Sequence, residues 1–171
     1  MTTIALYDGW LAADGRYTDG NEILDDECQK IVRDRSDGLI TCGAGEGGPL
    51  ELFMRGDFWD KVKWLPGGGP VFTKAQYKKF KECTGWVYKP GDKFVHQTGL
   101  SAGGFDPLPI KGGLPQAIGS GSVYFKAAMA SMLMYREALG LTSRQMIMSA
   151  MDVSMGMDLY SGGKVTILRL K

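Results

Sequence analysis

The chain has 171 residues, with 20 Lys and Arg against 19 Asp and Glu. That length suits one domain, residues 1–171, with a sizeable core, and the near-neutral balance excludes a polybasic nucleic-acid surface and a charged disordered tail. No apolar run reaches the ~18 residues of a membrane span, and no basic region followed by an apolar stretch opens the chain, which predicts no signal peptide. Three cysteines, Cys28, Cys42 and Cys83, show no CxxC spacing and suit reduced thiols in a cytoplasm better than a disulfide framework. The 10 methionines gather mostly in the C-terminal third, where they are read as gap fillers of a core rather than metal ligands.

The first residues carry chemistry. Met1 precedes a small residue, Thr2, and methionine aminopeptidases remove Met1 in that context. The product is a threonine with a free α-amine. Its hydroxyl is a nucleophile, and an α-amine that titrates at about 7.7–8.0 is a base suited to neutral pH. By itself Met-Thr is an ordinary beginning, so the reading depends on residues further along the chain.

Thr3 to Tyr7 alternates as a strand, Asp8-Gly9 signals a tight hairpin, and Trp10 to Ala13 returns. This hairpin delivers Asp14, at the head of Asp14-Gly15-Arg16, back beside the start of the chain. Thr18 to Asp26 reads as a polar loop. Lys30-Ile31-Val32 reads as a short strand carrying Lys30, and Leu39 to Cys42 as another. Gly43 to Gly48 reads as a glycine-rich elbow before a helix from about Pro49, with Leu50, Phe53, Phe58 and Val62 on one face. No Gly-Lys-Ser/Thr comes after these glycines, which excludes a P-loop.

Pro66 to Pro70 reads as a loop. Thr73 to Glu82 is short and basic, and its pattern does not choose between a helix and an irregular segment. Gly85 to His96 reads as a hairpin turning at Pro90-Gly91-Asp92. The single histidine, His96, is read as structural or solvated, which removes a histidine-based triad. Thr98 to Gly113 reads as a Gly/Pro-rich loop. Ala117-Ile118 ends a strand at Gly119-Ser120-Gly121. A helix from Ser122 to Leu139 comes next, with Val123, Ala127, Ala130 and Met134 at helical spacing. Thr142 caps a second helix, Ser143 to Met155, whose buried face is Met146, Ile147, Ala150 and Met151. Lys164 to Leu170 alternates as the last strand. Antiparallel strands with helices outside them indicate an α+β layered fold.

In order, the pieces Thr2-Thr3-Ile4, Ala13-Asp14-Gly15-Arg16, Lys30-Ile31, Ala44-Gly45, Ala117-Ile118-Gly119-Ser120-Gly121 and Asp158-Leu159-Tyr160-Ser161-Gly162-Gly163 resemble the proteasome β-subunit family and its HslV-type peptidases. The likeness covers Thr2 to about Phe53 and Ala117 to Leu170. It implies a four-layer αββα N-terminal-nucleophile hydrolase sandwich, two antiparallel sheets between helices. It implies that Thr2 is the nucleophile, that Lys30 is the cation beside it and that Asp14 pairs with that lysine. It implies that the Gly45 backbone N–H faces the oxyanion, and that Ser120, Asp158 and Ser161 hold the threonine amine and a water. Arg16, Thr18, Cys28, Gly43 and Gly47 match substrate-binding positions, Thr18 by strand pairing with an extended peptide. Small residues at Gly43 and Gly47 imply a roomy pocket and cleavage after large apolar residues. No cofactor is required, although HslV-like proteins bind sodium through backbone carbonyls matching Met155, Asp158 and Ser161.

The resemblance further implies a cytoplasmic homo-oligomeric ring acting on peptides and proteins and fed by an ATP-dependent unfoldase. Between about Phe53 and Pro115 the chain departs from the family, because the usual second long amphipathic helix is shortened. Two rival functions share the fold: a hydrolase of small amides, and a catalytically silent ring-forming or regulatory subunit. A complete set of site residues argues against the silent subunit.

Overall fold

A computed structural model of the chain describes residues 2–45, 47–65, 69–80, 83–98 and 105–171. In chain order, the first strands are β1 (Ile4–Tyr7), β2 (Trp10–Ala13), β3 (Tyr17–Asp19), β4 (Glu22–Asp25), β5 (Ile31–Arg33) and β6 (Ile40–Gly45). Helices α1 (Gly47–Met54) and α2 (Gly56–Trp59), strands β7 (Lys63–Trp64) and β8 (Pro70–Val71), and helix α3 (Lys74–Phe80) come next. Strands β9 (Cys83–Tyr88), β10 (Phe94–Thr98), β11 (Phe105–Pro109) and β12 (Gln116–Ile118) lead to helices α4 (Ser122–Met134), α5 (Arg136–Leu139) and α6 (Ser143–Met157), and β13 (Thr166–Arg169) closes the chain. Contacts group these elements into two units, Met1–Lys30 with Ile110–Lys171, and Ile31–Pro109.

In the first unit the strands run in the order β12-β1-β2-β13, all antiparallel. Asp8 and Gly9 have φ of 46° and 79°, the left-handed pair that a two-residue hairpin turn needs to match strand twist. The register sets Ile4 opposite both Ala13 and Ile118. All four residues of β1 are buried, so the strand is not the half-solvated one that alternation suggests. Helices α4 and α6 cover this sheet, and Phe125, Met129, Met146, Ile147, Ala150 and Met151 pack with Ala5 and Ala12 in one core.

The face and start of α6 agree with the sequence reading. Thr142 Oγ accepts from the Gln145 N–H while the Gln145 side chain accepts from the Thr142 N–H, a capping box that satisfies two orphan donors. The preceding helix differs. It breaks at Tyr135, and its buried residues are Phe125 and Met129, whereas Val123 is 62% and Met134 77% exposed. The segment is apolar almost all round, so spacing alone does not select a face, and the bulkiest side chains take the interior.

The second unit holds the antiparallel sheet β11-β10-β9-β6-β5. The expected elbow at Gly43 is strand instead, because β6 stays paired with β9 through Gly43↔Gly85 to Gly45↔Cys83. Facing glycines leave that stretch of sheet bare. A side chain at Gly85 would strike the Phe53 ring, and one at Gly43 would strike Leu50, so the missing Cβ atoms let α1 lie close. Phe53 meets Trp59 edge-on at 5.1 Å and Phe80 at 5.7 Å. Phe58, Phe72 and Phe105 extend the aromatic cluster.

Other corrections have local causes. Thr18 to Asp26 is not a loop but the hairpin β3–β4, turned at Gly20 with φ 55°. Part of the expected Thr98 to Gly113 loop is β11, whose prolines Pro107 and Pro109 are tolerated because it is an edge strand; residues 99–104 of that loop lie outside the described residues. Thr73 and Gln76 cap α3 reciprocally, which decides the described part of Thr73 to Glu82 in favour of a short helix; residues 81–82 lie outside the described residues. Pro70 belongs to the ribbon β7–β8, while residues 66–68 of that expected loop are not described. His96 lies inside β10, buried, with Nε2 3.0 Å from Asp92 Oδ2.

Candidate active site

The end of β2 fixes a carboxylate. Asp14 is 1% exposed, and both of its oxygens are engaged. Oδ1 accepts the Thr3 N–H at 2.8 Å and the Lys30 ammonium at 2.9 Å. Oδ2 accepts the Gly162 N–H at 2.9 Å and the Arg16 N–H at 3.4 Å. A buried lysine needs a carboxylate beside it. Lys30 is 6% exposed and lies one residue before β5, not on the strand. Burial pushes its ammonium below the ordinary lysine range, and Asp14 opposes that shift.

A second set of polar groups is built from hydroxyls. Asp158, which ends α6, accepts on Oδ2 from Ser120 and from Ser161, each at 2.6 Å. Ser161 Oγ lies 2.7 Å from Thr3 Oγ, which lies 2.9 Å from Ser154 Oγ. Ser154 donates to the Gly121 carbonyl at 2.8 Å. A side chain at Gly121 would collide with the hydroxyls of Thr3, Ser154 and Ser161, so this glycine makes the space where they meet.

Thr3 joins these two sets, and Thr2 precedes it in the chain. Thr2 is 4% exposed, and its carbonyl packs against Gly119, which has φ 93° and no room for a side chain. Among the described residues no hydrogen bond engages the Thr2 hydroxyl, whereas the Thr3 hydroxyl has two partners.

The first unit thus brings together Thr2, Asp14, Lys30, Ser120, Asp158 and Ser161. Gly43, Gly45 and Gly47 belong to the second unit. There Gly45 ends β6 with φ 140°, and Gly47 begins α1. At Gly43 the space expected for a substrate side chain is filled by Leu50, so this glycine serves helix packing. Thr18 lies in β3, its Cα paired with Ile23, and Cys28 is half-buried, its N–H donating to the Gly15 carbonyl at 2.9 Å.

Arg16, expected to meet substrate, is instead held within the unit. Its Nε and Nη2 reach Asp26 at 2.8 and 3.2 Å, and Nη1 donates to the Leu159 carbonyl at 3.1 Å. A side chain at Gly162 would strike the guanidinium. Arg16 therefore braces the turn whose Gly162 N–H serves Asp14.

The sequence pattern assigns no role to Thr3, Ser154, Gly121 or Gly162. Ser154 stands four residues before Asp158 on the same helix, a spacing that sets both on one face and is the one signal that points to it. The described residues hold no group of three or more His, Cys, Asp and Glu able to bind a metal. Met155, Asp158 and Ser161 lie in the last turn of α6 and the turn after it. The Asp158 carbonyl there accepts the Ser161 N–H at 3.1 Å.

No protein-family model matches the chain, and no curated protein matches its sequence. Solved structures do match its fold over nearly its whole length. BPH of Thiobacillus denitrificans, in complex with epoxomicin, is 16% identical, with a TM-score of 0.65 over 99% of this chain and 98% of that one. Eukaryotic HslV from Trypanosoma brucei is 18% identical, with a TM-score of 0.65 over 98% of this chain and 99% of that one. The chain therefore has the N-terminal-nucleophile hydrolase fold of HslV-type proteins, an α+β fold of antiparallel sheets and helices. No described helix is long and apolar enough to cross a membrane.

Proposed function

We propose that the chain is a threonine-type peptidase whose nucleophile is Thr2 after removal of Met1. The observation that carries this reading is the buried Lys30–Asp14 pair at 2.9 Å, with Asp14 also holding the N–H of the residue after Thr2 at 2.8 Å, in a fold shared with HslV. Oγ of Thr2 gives its proton to the Thr2 α-amine and attacks the scissile carbonyl. The Lys30 charge favours the ionised oxygen. The protonated amine then gives its proton to the leaving amine, and water releases the acyl group from Oγ. Gly45 as the oxyanion donor is carried over from the family resemblance alone.

The complex of the Thiobacillus denitrificans protein with epoxomicin, an epoxyketone, supplies the probe. An epoxyketone closes a ring on both the hydroxyl and the amine of an N-terminal threonine. Intact mass and peptide mapping test the reading: we expect a mass lower by one methionine and a label on Thr2. Active protein that retains Met1 would defeat it. A homo-oligomeric ring and an ATP-dependent unfoldase belong to the same proposal, supported by the likeness to HslV. Sedimentation reporting a stable monomer would remove the ring.

A further inference from the structure

We infer that Thr3 and Ser154 are positioning residues that hold Thr2 in its reactive placement, through a directed line of hydroxyl protons. The inference rests on the reading of Thr2 as nucleophile and adds two residues to which the family resemblance gives no role.

The direction comes from counting donors. Ser120 and Ser161 both donate to Asp158 Oδ2. A hydroxyl has one proton, so Ser161 has none left, and its 2.7 Å contact with Thr3 requires Thr3 to donate. Thr3 has then spent its proton, so in its 2.9 Å contact with Ser154 the donor is Ser154, whose single proton lies between Thr3 Oγ and the Gly121 carbonyl at 2.8 Å. Thr3 Oγ is therefore located by two hydroxyls, one from α6 and one from the turn after it. Its N–H is located by Asp14 from the end of β2. Thr3, Ser154 and Ser161 are all fully buried, out of reach of bulk solvent.

Residue 3 is thereby anchored at its backbone and at its side chain. The peptide joining Thr2 to Thr3 is planar. Its N–H is on Asp14, and its carbonyl is seated against Gly119. Both ends of that plane are fixed, and the Thr2 Cα is bonded directly to it. A threonine here, rather than an isosteric valine, supplies the only proton available to Ser161. Valine would fill the same space but remove the donor to Ser161 and the acceptor for Ser154, leaving those hydroxyls only their bonds to Asp158 and to the Gly121 carbonyl.

The test uses the full chain with Met1 removed, as wild type, Thr3→Val, Thr3→Ser and Ser154→Ala. The readouts are the rate of epoxyketone labelling at Thr2, kcat and KM on a fluorogenic peptide, and the melting temperature. Thr3→Val is expected to lower kcat and the labelling rate by roughly 10²-fold, the scale of a small misplacement of a reacting group, with KM little changed. Thr3→Ser is expected to restore both to within about tenfold of wild type, because the proton returns. Ser154→Ala is expected to fall between them. A folded Thr3→Val that labels at the wild-type rate overturns the inference, as does a Thr3→Ser as slow as Thr3→Val. If Thr3→Val does not fold, Ser154→Ala, which adds no atoms, decides: an unchanged labelling rate overturns the inference and a slowed one supports it. Wild-type protein with a free Thr2 that takes no label overturns the functional reading itself, a result distinct from the variant outcomes.

Discussion

Thr3 and Asp14 bond each other twice. The Thr3 N–H donates to Asp14 Oδ1 at 2.8 Å, and the Asp14 N–H donates back to the Thr3 carbonyl at 3.1 Å. The carboxylate is thus tied to the strand beside Thr2 by its backbone as well as its side chain. Its remaining capacity on Oδ1 goes to Lys30, so the position of that cation is set by the hairpin.

Replacing Lys30 with alanine is expected to abolish peptide hydrolysis while the protein stays folded at a lower melting temperature. Removing one partner of a buried ion pair costs about 3–5 kcal/mol, because Asp14 stays buried without its cation. Hydrolysis that survives at more than a small fraction of wild type would make the pair purely structural.

Gly162→Ala is expected to destabilise the fold by about 1–3 kcal/mol, the usual range for overpacking, because the new methyl meets the Arg16 guanidinium. Arg16→Ala removes the obstacle. A double-mutant cycle in denaturant should therefore show Gly162→Ala costing less in the Arg16→Ala background. Equal costs in both backgrounds would separate Arg16 from the turn it is described as bracing.

The three cysteines should react unequally with a thiol reagent at about pH 8, half a unit below the ordinary thiol range. Burial pushes the Cys42 thiol up to about 12 and the Cys83 thiol up to about 11, so neither supplies thiolate in the folded state. Half-buried Cys28 is expected to label first, with the other two appearing only on unfolding. The shift also acts on stability. An unfolded thiol ionises near 9.0, so the stability that Cys42 contributes below that pH is lost as pH rises towards about 12. Mass spectrometry of partially labelled native protein checks the order.

Thr142→Ala should remove about 1 kcal/mol of stability, since Thr142 Oγ accepts the Gln145 N–H at 3.3 Å in the capping box of α6. The denaturation midpoint should fall with no change in slope. A change in slope would point to a broken helix rather than a lost cap.

Helix α6 is legible in the sequence because two signals agree, a capping residue and an unambiguous apolar face. Asp14 and Lys30 are legible because the hairpin signal Asp8-Gly9 and the order of motifs set them near the start of the chain. The hairpin β3–β4 is hidden because β4 is exposed throughout and β3 nearly so, which erases the alternation that marks a strand. The interior face of α4 is hidden by an excess of apolar residues, and the bracing role of Arg16 by its distance in sequence from Leu159. The line of hydroxyls is hidden for another reason. A buried serine and a solvated one look alike in a sequence, and only the bare Cα of Gly121 shows that the hydroxyls of Thr3, Ser154 and Ser161 converge.

The two-residue turn at Asp8-Gly9 makes the first hairpin a counting device. Along a strand, successive side chains point to opposite faces, so adding or removing one residue there inverts everything after it. Asp14 would then turn away from Thr3 and Lys30 while the strands themselves could still pair. Changes of two residues, one on each arm, keep the parity and lengthen the arms without moving the carboxylate relative to Thr2. The segment from Thr2 to Asp14 is therefore constrained in length by whether it is odd or even, more than by how long it is.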